Sequence, residues 1–316
     1  MKLVIFPDIH DRWAMKLGEA SPKVEVKRAG SEEEAEDLIA DAEALYGRVT
    51  PRLLKAARQL KWVQAPSIGL ENYIFPELLA HPCVLTNVRG IFSDHIANHV
   101  FAFILCFARD MHHHVRNQEQ AHWGGGGDEH PVIHPGDQTL GIVGLGGIGA
   151  EVARRAVAFG MKVVAMDPNP KDRPENVQKV YGLDGFREFL GQSDFVVICA
   201  PQTPTTIGLF DGAAFAAMKR SAILINIGRG KIVKLDALTS ALREGLIAGA
   251  GLDVFEMEPL PKDHPLWRMD NVILTPHMAG AGPYVMDRRI GVVVENIQRF
   301  AAKKPLLNVV DKKNWC

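Results

Sequence analysis

The 316-residue chain is long enough for two ordinary domains, each with its own core. It is 47% hydrophobic and 23% charged, the balance of a globular protein, and its formal net charge of −1 sets up no bulk field toward nucleic acid or anionic lipid. Cys83, Cys106, Cys199 and Cys316 show no CxxC spacing, and two of them lie in apolar runs, so they read as buried thiols rather than a disulfide framework.

The opening "MKLVIFPDIHDRW" is too short and too acidic for a signal peptide and reads as a first buried strand. The runs "KLVIFP", "VEVKRA", "EALYG", "WVQAPS" and "CVLTN" follow as strands. Helical patterns such as "SEEEAEDLIADA" and "TPRLLKAARQL" separate them, which implies βαβ units and a mainly parallel sheet. The carboxylates of "SEEEAED" suit the solvated first turn of a helix.

From Ser93, a candidate N-cap, one long helical pattern is expected to Trp123, with apolar residues at Ile96, Val100, Phe103, Ile104, Phe107, Met111 and Val115. Some 25 residues of helix span roughly 38 Å, enough to bridge two domains. Its apolar run "VFAFILCFA" falls well short of the roughly 18 residues of a membrane span. The expectation is therefore a cytoplasmic protein without a membrane or nucleic-acid partner. "WGGGGDEHP" ends the helix as a flexible connection.

A second α/β series starts at Thr139, with strands "TLGIVG", "KVVAMD", "FVVICA", "AILINI", "IAGAGLDV" and "VILTPH", several of them apolar throughout, as in a parallel sheet buried on both faces. Pro283 then opens a last helical pattern, followed by a strand-like "PLLNVV". This tail has no fold of its own and is expected to return to the first domain. The boundaries read as 1–98 plus 286–316 for a discontinuous first domain and 99–285 for the second.

"TLGIVGLGGIG" carries a dinucleotide fingerprint in Gly144, Gly146 and Gly149. The first glycine permits the tight turn, the second lets backbone amides approach a pyrophosphate, and the third lets the helix pack on its strand. Asp167, about 20 residues on, suits the ribose hydroxyls and disfavours a 2′-phosphate, pointing to NAD over NADP; Lys171 and Arg173 nearby soften that preference. None of the four tyrosines heads a Tyr-x-x-x-Lys pair, against a short-chain reductase, and the fingerprint comes too late for an L-lactate type enzyme.

Three later strand ends carry chemistry: Arg229 in "INIGRGKIVKLDAL", Asp253 and Glu258 in "GAGLDVFEMEPLP", and His277 in "VILTPHMAGAG". In an open α/β sheet, ligands bind beyond the carboxyl ends of strands. Together with the fingerprint, and almost from end to end, these segments resemble the D-isomer-specific 2-hydroxyacid dehydrogenase family.

The resemblance implies a two-domain α/β fold, with a Rossmann-type doubly wound sheet inserted into a smaller flavodoxin-like substrate domain. It implies NAD-dependent hydride transfer between a small D-2-hydroxy acid and its 2-keto acid, of the glyoxylate or hydroxypyruvate kind. His277 is the expected acid/base, Glu258 its partner on the far ring nitrogen, and Arg229 the fork for carboxylate and carbonyl. Backbone amides at Ile68 and Gly69 are expected to hold the substrate carboxylate. Gly147, Ile148, Ile227, Gly228, Asp253 and the stretch from Met278 to Gly280 are expected at the cofactor.

Two residues depart from the family pattern. Gly147 stands where Arg is common, removing a pyrophosphate contact, and Asn98 stands where Glu is common, which alters substrate-side hydrogen bonding. A homodimer is implied by resemblance only. Formate or phosphite oxidation, and an NAD-sensing corepressor-like scaffold, stay open as alternatives. His95, His99 and the run His112 to His114 offer imidazoles, but no carboxylate or cysteine joins them at ligand spacing, so no metal is expected.

Overall fold

The computed structural model describes residues 1–124, 132–168 and 174–313. Lys171, Arg173, Cys316 and most of the glycine-rich connection lie outside the described residues. The chain divides into two compact units, Met1–Ile91 with Gly282–Cys316, and Phe92–Ala281. The dividing point therefore falls ahead of the helix that begins at Ser93, not inside it.

In the first unit, β1 (Lys2–Phe6), β2 (Glu25–Arg28), β3 (Ala44–Gly47), β4 (Trp62–Gln64) and β5 (Val84–Thr86) form a parallel sheet in the order β2-β1-β3-β4-β5. This is the flavodoxin-like doubly wound order. Its helices start where the sequence supplies caps. The Ser31 hydroxyl accepts from the Glu34 amide at 3.2 Å, and Thr50 accepts from Leu53 at 3.2 Å with Pro51 in the first turn.

One face of this sheet is closed by the helix Val285–Ala301, whose Ile290, Val293 and Ile297 pack with Leu3, Ile5 and Trp62. A buried polar chain sets the seating of that helix. Asn296 donates to Gln64 Oε1 at 2.9 Å, Thr86 Oγ1 donates to the same oxygen at 2.8 Å, and the Trp62 indole donates to Thr86 at 2.8 Å. Each member finds a partner, so the network specifies one docking without leaving an unmet group. Pro283 lies ahead of the helix rather than in it, because left-handed Tyr284 (φ 64°) makes the turn. "PLLNVV" is not a strand; Val309 makes only an isolated antiparallel bridge to Thr86.

In the second unit, β6 (Thr139–Val143), β7 (Lys162–Met166), β8 (Lys179–Tyr181), β9 (Phe195–Ile198), β10 (Ile223–Asn226), β11 (Gly249–Leu252) and β12 (Val272–Leu274) form a parallel sheet. The order is β12-β11-β10-β9-β6-β7-β8, so the chain reverses direction across the sheet between β6 and β9. Apolar clusters cover both faces, one built on Phe189, Phe210, Phe215 and Leu238, the other on Val100, Phe103, Ile104 and Val152. Full burial of each such side chain stabilises by about 1.5–3 kcal/mol.

The expected single helix from Ser93 to Trp123 is two, Ser93–Ala108 and Met111–Glu119, both in the second unit. Asp110 breaks them with φ 55°, a left-handed conformation that Asp tolerates better than most residues. Ser93 is the first helical residue rather than the cap. Among the described residues, no helix is long and apolar enough to cross a membrane.

Candidate active site

The turn after β6 follows the logic of its glycines. Gly144 has φ 93° and sits so close to the chain after β9 that a Cβ would lie 2.8 Å from the Ala200 nitrogen. A Cβ on Gly149 would lie 2.1 Å from the Gly144 carbonyl oxygen, so only glycine lets the helix Gly147–Ala158 approach its strand. Gly146, by contrast, faces open space, and both it and Gly147 are exposed. No side chain caps this helix, so its first turn keeps the partial positive charge that suits an anion.

Asp167 ends β7 and accepts from the Leu145 amide at 2.8 Å, which fixes its carboxylate at the glycine turn. The open cradle, the uncapped amides and a carboxylate beside them fit a dinucleotide. Ile148 is half-buried at this helix start, and Ile227 is buried after β10.

The ends of β10, β11 and β12 are neighbours in the sheet, and they carry Arg229, the Asp253–Glu258 segment and His277 respectively. The Asn226 side chain ties the β10 end together. Its oxygen accepts from Gly228 at 3.1 Å and its amide donates to the Arg229 carbonyl at 3.2 Å. The Arg229 guanidinium donates to the Gly228 carbonyl at 2.7 Å.

His277 Nδ1 lies 2.7 Å from Glu258 Oε2, and the other Glu258 oxygen accepts from the Phe255 amide at 3.0 Å. Glu258 is thus oriented by backbone and in turn orients the imidazole. The His277 side chain is 49% exposed, so the ring is held at one nitrogen and open at its edge.

His277 itself is left-handed, with φ 52°, a costly conformation for a non-glycine residue. Asp253 holds it there. Its carbonyl accepts from His277 N at 2.8 Å, while its carboxylate accepts from Thr275 Oγ1 (2.7 Å), Met278 N (2.8 Å) and Ala279 N (2.9 Å). Asp253, expected at the cofactor, is 1% exposed and spends its carboxylate on this loop.

His99 completes the arrangement, its Nε2 2.9 Å from Thr275 Oγ1 and 3.8 Å from Asp253. Burial pushes its pKa below the ordinary imidazole value, against the opposing pull of Asp253. Asn226, Thr275 and His99 were not readable as site residues. Asn226 acts within its own strand end, and Thr275 and His99 link separate segments; only the "INIGRG" and "TPH" segments hinted at them.

Asn98 lies on the exposed side of its helix and accepts from Arg155 Nη1 at 2.9 Å. Arg155 also pairs with Glu151 at 2.9 Å. Asn98 therefore fastens two helices of the second unit. Gly280 lies close to Phe92, with a Cβ position 3.3 Å from the ring. Ile68 and Gly69 lie on the loop after β4 in the first unit, where Ser67 Oγ donates to the Gly69 carbonyl at 2.8 Å.

A nucleotide-ready Rossmann sheet with an oriented Glu–His pair two strands from its switch point describes a dinucleotide-dependent oxidoreductase. Comparison with known proteins narrows this. Residues 101–279 match the family model for the D-isomer specific 2-hydroxyacid dehydrogenase, NAD binding domain. A glyoxylate reductase of Korarchaeum cryptofilum is 36% identical over 285 residues, covering 87% of this chain and 84% of the relative.

A D-isomer specific 2-hydroxyacid dehydrogenase from Xanthobacter autotrophicus, solved with NADPH and MES, superposes with TM-score 0.86 at 31% identity, covering 99% of this chain and 98% of that one. An NADPH-dependent glyoxylate/hydroxypyruvate reductase from Sinorhizobium meliloti, solved with NADP and sulfate, gives TM-score 0.86 at 27% identity over 99% of both chains. The chain belongs to the D-isomer specific 2-hydroxyacid dehydrogenase family.

Proposed function

We propose that the protein interconverts a small 2-keto acid of the glyoxylate or hydroxypyruvate kind with its D-2-hydroxy acid, using NAD(H). The observation that carries this reading is the Glu258–His277 pair at 2.7 Å, at the carboxyl edge of the sheet whose β6 leads into the open glycine turn. The dinucleotide, when bound, supplies or accepts the hydride at the substrate C2. Gly144, Gly146, Gly147, Ile148 and Gly149 would hold its pyrophosphate, Asp167 its ribose, and Ile227, Gly228 and Gly280 its nicotinamide side.

His277 then moves a proton. With Nδ1 taken by Glu258, Nε2 donates to the substrate oxygen as charge builds there, and retrieves the proton in the reverse direction. Glu258 stabilises the imidazolium at that moment. Arg229 presents a planar fork to the substrate carboxylate and carbonyl, favouring a 2-keto acid over a simple ketone. Asp253 is assigned to positioning His277 rather than to touching the cofactor.

Asp167 supports NADH over NADPH, because a 2′-phosphate beside a carboxylate pays like-charge repulsion. Relatives solved with NADPH make this the sharpest part of the reading to test. The test is oxidation of NADH and of NADPH with glyoxylate, hydroxypyruvate, pyruvate and bulkier keto acids. Turnover of a small keto acid with lower KM for NADH is expected. Tight NADH binding without turnover of any member would sink the enzyme reading, and a lower KM for NADPH would overturn the assignment of Asp167. We also assign a homodimer, which light scattering at working concentration checks.

A further inference from the structure

The helix break at Asp110 gathers side chains that the reaction does not use. Asp110, His112 and His113 each offer one ligand atom, and the three atoms lie within 4.8 Å of one another, the one such group of His, Cys, Asp or Glu among the described residues. The sequence alone found no carboxylate near the histidine run at ligand spacing. Left-handed Asp110 changes that by turning its carboxylate back over the start of the next helix. The backbone fixes the corner as well, since the His113 and His114 amides donate to the Asp110 carbonyl at 3.1 and 3.2 Å.

The three groups converge on one point. Asp110 Oδ1 is hydrogen-bonded to His113 Nδ1 and lies 3.8 Å from His112 Nδ1. The two imidazoles stand with ring centroids 4.1 Å apart.

His112 supplies the independent sign of a missing ligand. Its side chain is 9% exposed, and Nδ1 is buried with no hydrogen-bond partner among the described residues. The ring packs edge-on to Phe107, with centroids 5.0 Å apart, so it is held from behind. A buried nitrogen without a partner costs about 1–3 kcal/mol, and proteins keep such groups where something else satisfies them.

We propose that Asp110, His112 and His113 bind a divalent transition-metal ion, with Zn²⁺ the best match to a His₂-carboxylate set. Both histidines bind through Nδ1 and Asp110 through a carboxylate oxygen, and solvent completes the coordination. The ion replaces the proton shared between Asp110 and His113 and satisfies His112 at the same time. It staples the corner between the Ser93–Ala108 and Met111–Glu119 helices. This site is separate from the reaction chemistry, and the proposal does not depend on which substrate the enzyme turns over.

The test uses the full chain without a histidine tag, stripped with a chelator, then titrated with Zn²⁺ by calorimetry and with Co²⁺ by visible absorption. One ion per chain and ligand-field bands of a nitrogen–oxygen site are expected. His112→Ala and, separately, His113→Ala should each weaken Zn²⁺ binding by roughly 100-fold or more. His114→Ala and His122→Ala should leave it unchanged, which separates this corner from adventitious binding along a histidine-rich helix. Circular dichroism of each metal-free variant reports whether it folds, and Asp110→Asn, which keeps a side chain tolerant of the left-handed corner, serves as a further weakened variant. No saturable binding to the parent chain, undiminished binding in folded His112→Ala, or loss on His114→Ala would each overturn the proposal.

Discussion

Two corners of the second unit set a buried carboxylate among histidines, and each contains a left-handed residue that is not glycine. At the ends of β11 and β12, the Asp253 carboxylate accepts from three donors and holds His277 at φ 52°. At the helix break, Asp110 is itself the left-handed residue, and the neighbouring His112 keeps an unsatisfied Nδ1. The first corner is complete with protein atoms alone and spends its order on aiming one imidazole. The second is built to the same plan but lacks one partner. A strained residue is thus informative only together with the hydrogen-bond accounts of its neighbours.

Substitutions can break this comparison, and the largest effect belongs to the completed corner. His277→Ala should lower kcat with a small keto acid by roughly 10²–10⁴-fold, the usual worth of a positioned acid, while NADH binding measured by fluorescence persists. Glu258→Gln should cost less, about 10–150-fold in kcat/KM, since it removes one charge-assisted hydrogen bond and leaves the imidazole in place. Asp253→Ala should destabilise the protein by about 2–5 kcal/mol in urea unfolding, because the amides of Met278 and Ala279 lose their acceptor and the strained His277 loop its anchor.

The smallest mutational effect sharpens the contrast most. His99→Leu removes the hydrogen bond to Thr275 and should cost about 1–2 kcal/mol. His112→Leu in the metal-free chain should fall within about 1 kcal/mol of zero, since it deletes a buried Nδ1 that has no hydrogen-bond partner among the described residues. Equal losses would mean that the two corners are equally satisfied. Thiol chemistry gives a last check on the packing behind the glycine turn. Burial pushes the Cys199 thiol up to about 12, so it stays protonated at pH 8 and should resist iodoacetamide in the folded chain, as followed by peptide mass spectrometry.

Much of this architecture was legible in the amino-acid order. Eleven of the strands announced themselves as apolar runs closed by breakers, and Gly144, Gly149 and Asp167 sit where the fingerprint spacing puts them. β8 escaped because "KVY" is too short to show a period. The break at Asp110 escaped because hydrophobic periodicity runs straight through it. Met111 and Val115 continue the apolar spacing, yet both are exposed.

The candidate site was legible as residue types at strand ends, namely Arg229, Glu258 and His277. Its supports were not. Thr275 and His99 act by hydrogen bonds between segments far apart in sequence, and Asn226 ties its own strand end, a role its residue type alone does not announce. Asp253 was visible, but its role was not, because a strand-end carboxylate looks the same whether it faces a ligand or its own loop.

The helix Val285–Ala301 has a consequence for the order in which the molecule can be made. β1 to β5 are synthesised before the second unit, yet Leu3, Ile5 and Trp62 gain part of their cover from Ile290, Val293 and Ile297. The second unit, continuous in sequence, has every strand of its sheet available before that helix emerges. Domains generally fold as units during synthesis, so the unit begun earlier of the two is finished after the other, with part of its apolar face awaiting the helix Val285–Ala301. A ribosome stalled ahead of Val285 would hold a chain whose nucleotide-binding half can fold while its opening sheet still seeks a partner, a natural point of engagement for chaperones.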